Sequence, residues 1–177
     1  MRNLILAAVL ILAAAFSRVL PHPANFTPLA AMALVGGAYL DRRFALVIPF
    51  AALLLSDAII GFHSLMPYVY GSFLVTGAIG LLLQNRKRPI AILGASLASS
   101  VLFFVVTNFG VWATGSDAIY SRNFAGLLEC YTLAIPFFRN TVAGDLVYTA
   151  ILFGVFHLAS RYVPFSTPVR ATIVSKK

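Results

Sequence analysis

The chain has 177 residues, is 60% hydrophobic and has a mean hydropathy of +0.92, well above the apolar content of an ordinary soluble domain. Its formal net charge of +8 comes from 13 Lys and Arg against five Asp and Glu. With so few polar residues to build a soluble basic face, these cations mark membrane-flanking loops and exclude a nucleic-acid-binding domain.

The first apolar segment, 3–20, is long enough to cross a bilayer when its ends are included. Arg18 is expected to snorkel to the interface. Arg2 and Ala13-Ala14-Ala15 also fit a cleaved signal peptide, but retention as a helix is the expectation. Next comes Pro21-His22-Pro23-Ala24-Asn25-Phe26-Thr27-Pro28. Three prolines in eight residues forbid a continuous helix, so a polar loop is expected between two spans.

The second segment, 26–40, is short and carries Gly36-Gly37, which invites close helix contact. Asp41-Arg42-Arg43 closes it. The third, 44–62, contains Pro49 and ends near Asp57. The fourth, 67–84, opens with Tyr68 and Tyr70 and is closed by Asn85-Arg86-Lys87-Arg88. The fifth, 89–113, has Ala91, Ala95 and Ser99 at four-residue spacing, a stripe suited to helix packing. A long connection over 114–140 follows. Its apolar middle, 124–138, is interrupted by Glu129 and Pro136 and reads as a re-entrant or interfacial segment, with a seventh span as the alternative. The sixth span is 141–163, and 164–177 is a polar, basic tail.

These segments predict a single all-α domain of six transmembrane helices. Six spans put both termini on one side, together with ten of the 13 basic residues; only Arg18, Arg122 and Arg139 fall on the other. Both termini are therefore expected in the cytoplasm, in a multi-pass protein of the bacterial inner membrane.

The outer side collects His22, Asn25, Asp57, His63, Tyr68, Tyr70, Asn108, Trp112, Arg139, Asn140 and Asp145. Intramembrane carboxylates are costly and face a partner or a cavity, which singles out Asp57 and Asp145. Each also has a structural alternative: Asp145 as a cap or a partner of Arg139, Asp57 as a brace for the proline loop. Arg139-Asn140 reads as a ligand clamp or an interface anchor. Tyr68, Tyr70 and Trp112 read as an aromatic belt or as stacking faces for a flat ligand. His22 and His63 show no metal-ligand spacing, and the lone Cys130 excludes an internal disulfide and a multi-cysteine metal site. No Gly-rich phosphate loop, His-Glu-x-x-His or serine elbow is present, so no enzymatic activity and no ATP site are expected.

The run Leu20-Pro-His-Pro-Ala-Asn-Phe-Thr-Pro-Leu-Ala-Ala-Met-Ala-Leu-Val-Gly-Gly-Ala, with Ser56-Asp57, Pro67-Tyr68-x-Tyr70-Gly71 and Thr141-Val-Ala-Gly-Asp145, resembles a family of small bacterial membrane proteins. That family looks like the S components of energy-coupling-factor (ECF) vitamin transporters, nearest to the solitary cobalamin-specific ones. The resemblance covers most of 15–155. It implies six helices and a vitamin pocket at the outer face. The implied ligand is a vitamin such as cobalamin or a related corrinoid, and the implied partners are membrane lipid, an ECF coupling subunit and its ATPases. This sequence departs from the pattern twice. The first helix offers Ala13-x-x-x-Ser17 where an S component has Ala-x-x-x-Ala for docking, and the clean motif is Ala91-x-x-x-Ala95. No cysteine lies near the third loop to ligate cobalt. The expected function is thus a vitamin-binding subunit of membrane uptake, with a structural or assembly protein lacking a small ligand as the alternative.

Overall fold

The computed structural model describes residues 2–116 and 119–162. Among these residues there are six α-helices and no strand: α1 Arg2–Ser17, α2 Leu29–Tyr39, α3 Val47–Ile60, α4 Met66–Leu82, α5 Pro89–Thr114 and α6 Phe124–Tyr162. The tail over 164–177 lies outside the described residues.

Helix α2 is the axis of the bundle. Ten of its eleven residues are buried, and it packs on all five other helices. Its small residues permit this. A Cβ added at Gly37 would lie 2.4 Å from the Gly77 carbonyl oxygen of α4, so the two backbones touch where both helices carry glycine.

Polar groups are buried beside the apolar core, while many large apolar side chains lie on the surface. Ser56, Asp57, Ser72, Thr76, Ser96, Ser99, Ser100 and Asp145 are buried. Large apolar side chains face outward, among them Leu55 and Ile59 of α3, Val101 and Val105 of α5, and Leu133 and Ile151 of α6. Helices α5 and α6 are long and apolar enough to cross a membrane, with mean hydropathies of 2.2 and 1.7 over their most apolar windows. The other four, at 11–17 residues, are each shorter than the roughly 20 residues needed to span 30 Å.

The sixth element differs from the sequence expectation. The connection expected over 114–140 is helical from Phe124 and runs without interruption into the sixth segment, a helix of 39 residues and so about 58 Å. Pro136 lies inside it. Proline costs one backbone hydrogen bond, but packing against a neighbour offsets that cost in an apolar helix. The neighbour is α5: the Tyr131 hydroxyl donates to the Val105 carbonyl at 2.7 Å, and the Phe104 ring lies 4.6 Å from that of Phe138. Below, Ser96 and Thr149 hydroxyls meet at 3.3 Å, so α5 and α6 run antiparallel through most of the length of α5.

The two ends of the bundle differ in chemistry. At one, the Gln84 carboxamide donates to the Gly37 and Leu40 carbonyls, 3.0 Å each, and the Lys87 ammonium sits 5.4 Å over the Tyr39 ring. These contacts bring the basic loops at 42–43 and 86–88 together. At the other end lies the proline loop. It turns through a Phe26 N–H to Pro23 carbonyl bond of 3.0 Å, with Asn25 at φ 61°, a region asparagine tolerates better than most residues. It rests on α6: Asn140 donates to the Ala24 carbonyl at 3.0 Å, and a Cβ at Gly144 would lie 3.1 Å from the Phe26 Cα.

Candidate functional site

Beneath the proline loop is a cavity of about 380 Å³. Its walls come from the end of α1, the loop itself, the first turn of α2, the connection before α4, and α4, α5 and α6. About half of the lining residues are apolar, with Phe73, Phe103 and Phe137 the largest. Polar groups are interspersed: Asn25, Thr27, Thr76, Ser99, Thr107, Asn108 and Thr141, with Arg18, His63 and Asp145 as the ionisable residues.

Several hydroxyls are committed to their own helix. Ser99 donates to Ala95, Thr107 to Phe103 and Thr141 to Phe137, at 2.7–3.0 Å. Such bonds satisfy the donor and leave the oxygen lone pairs free to accept.

Four of the residues expected at an outer site line this cavity: Asn25, His63, Asn108 and Asp145. Asp145 is 4% exposed. It accepts a 2.6 Å hydrogen bond from the Ser100 hydroxyl and lies beside the Ala30 backbone amide in the first turn of α2. A carboxylate at a helix N-terminus is favoured by the helix dipole. The alternative pairing with Arg139 does not form. Arg139 is exposed, and among the described residues no cation lies within ion-pair distance of Asp145.

The other seven expected residues do not line the cavity. His22 is exposed and its ring nitrogens contact the Pro23 and Arg18 carbonyls at 3.0 and 3.2 Å. Asp57 is buried away from the cavity, with Tyr70 donating to it at 2.9 Å. Tyr68 packs its ring on Gly110, where an added Cβ would lie 2.5 Å away. Trp112 reaches outward to donate to the Ser121 carbonyl at 3.1 Å. Asn140 is spent on the proline loop, and Arg139, its helix neighbour, therefore points about 100° away. The two side chains of that pair diverge.

The cation of the site is Arg18 instead. It does not snorkel: its side chain is 10% exposed and its guanidinium forms a 2.7 Å ion pair with Asp57. A second guanidinium nitrogen donates to the Ser56 hydroxyl, and Nε is buried with no partner. The helix assignments explain the miss. Arg18 follows the last turn of α1, and its partners lie 38 and 39 residues away, so local pattern cannot reveal them. Cys130 is buried and donates weakly to the Asn108 carbonyl at 3.5 Å. Among the described residues no group of three or more His, Cys, Asp or Glu is placed to hold a metal.

A helical bundle with a mixed apolar and polar cavity at one end and basic loops at the other is the class of protein that this geometry defines. Over residues 1–168 the chain matches a family of unknown function, DUF6580, and it belongs to that family. No curated protein and no solved structure matches it.

Proposed function

We propose that the protein is a multi-pass inner-membrane subunit that captures a small molecule from the outer face, in the manner of a vitamin-binding S component. The observation that carries this reading is the cavity's position at the end of the bundle opposite the basic loops. Positively charged loops stay in the cytoplasm, so the cavity opens outward. The many large apolar side chains on the surface support a bundle in lipid, where they face the acyl chains, and the glycines of α2 and α4 make close helix contacts. In that setting the short helices and the proline loop together cross the bilayer, with irregular backbone tolerated where it lines a cavity.

The volume fits a compact ligand, within the common range for small-molecule sites. A whole corrinoid is bulkier and would need the proline loop to lift. Coupling to a transmembrane partner and ATPases remains part of the proposal, carried by the resemblance alone.

A second reading, an assembly protein with no small ligand, is favoured by the Arg18–Asp57 pair, which is satisfied internally. One experiment separates the two. The full chain is purified in mild detergent and its small-molecule content read by mass spectrometry, beside a Thr141→Trp variant whose side chain fills the cavity. The uptake reading expects a compound that the variant lacks. An equal, empty spectrum from both proteins, together with no stabilisation by any vitamin added to either, sinks it.

A further inference from the structure

Resting on the small-molecule reading, the charge balance of the cavity identifies the ligand's class. Three ionisable side chains line it: Arg18, His63 and Asp145. Arg18 is already matched by Asp57 at 2.7 Å. His63 is exposed at the mouth. Asp145 is buried, and its partners are a hydroxyl, a backbone amide and the end of α2, none of them a full positive charge. Burying a carboxylate without a counter-ion is expensive, and inside a membrane such a group faces whatever completes it. Phe73, Phe103 and Phe137 share the same cavity. Aromatic faces attract organic cations, most strongly where water is excluded.

We propose that the cavity takes a small organic cation, its positive nitrogen against Asp145 and its apolar body against Phe73, Phe103 and Phe137. An organic anion on the unpartnered Nε of Arg18 is the competing class. It would join an ion pair that is already neutral and share the cavity with an uncompensated Asp145. The cation corrects the imbalance, and the anion doubles it.

The test uses three probes of one shape and different charge: benzyltrimethylammonium, benzyl alcohol and benzoate. Each is titrated calorimetrically into the purified full chain at neutral pH and low salt. The cation should bind tightest, roughly ten- to a hundred-fold better than the alcohol, with benzoate weakest. Asp145→Asn keeps an oxygen for Ser100 and should erase the preference. Asp41→Asn, in the basic end's loop, should leave it intact. Benzoate or the alcohol binding as tightly as the cation overturns the cation assignment and leaves the small-molecule site standing. So does an unchanged preference in Asp145→Asn. If that variant does not fold, the ranking on the unaltered protein decides alone. If none of the three binds, the charge of the co-purified compound decides: a neutral or anionic compound overturns the assignment, a cation upholds it. No bound compound at all removes the small-molecule reading and this assignment together.

Discussion

Two buried carboxylates sit in this bundle under opposite conditions. Asp57 has both oxygens engaged, one by Arg18 and one by Tyr70, and it lies outside the cavity. Asp145 faces the cavity with a hydroxyl and an amide, and among the described residues no cation lies within ion-pair distance of it. The first arrangement is closed in charge: α3, α4 and the residue that follows α1 are tied by one neutral network. The second is open. The contrast teaches that burial alone does not make a carboxylate functional; what matters is whether the protein itself completes it.

The contrast predicts different costs. Asp57→Ala should be the most damaging, losing about 3–5 kcal/mol because it strands the Arg18 charge. Thermal unfolding in detergent measures this, and a loss no larger than that of a surface change would break the comparison. Replacing both partners, Arg18→Met with Asp57→Leu, should recover much of it, since an apolar pair of similar volume avoids desolvation. A double variant as unstable as the single one would show that Ser56 and Tyr70 matter more than the charge.

Tyr70→Phe removes one hydrogen bond from the closed network and should cost about 0.5–1.5 kcal/mol. Asp145→Asn should cost about 1 kcal/mol or less in stability, because the amide oxygen still accepts from Ser100. Should it match Asp57→Ala instead, Asp145 is a structural cap of α2 and the distinction between the two sites disappears. Arg139→Ala, at an exposed position outside the cavity, should stay within about 0.5 kcal/mol and leave ligand content unchanged.

Much of this was legible in the sequence. Prolines 21, 23 and 28 dictate a loop, and that loop does form one wall of the cavity. Asn25, His63, Asn108 and Asp145 were identifiable because polar residues in apolar surroundings must face something. What could not be read was direction around a helix and partnership at a distance. Arg139 and Asn140 are adjacent in sequence, yet one reaches Ala24 and the other faces out. Arg18 looked like a residue at the end of a span because its partners belong to α3. The start of α6 was hidden by Pro136 and Glu129, which locally argue for a break. Packing against α5 overrides that local signal, as the Tyr131 and Phe138 contacts show.

The proline loop also has an entropic consequence. Its ring-locked residues have few conformations to lose, and Asn140 and the close approach at Gly144 hold it before any ligand arrives. A molecule entering the cavity therefore meets a wall that is already ordered. Under the uptake reading proposed above, affinity is not reduced by the need to freeze a floppy segment.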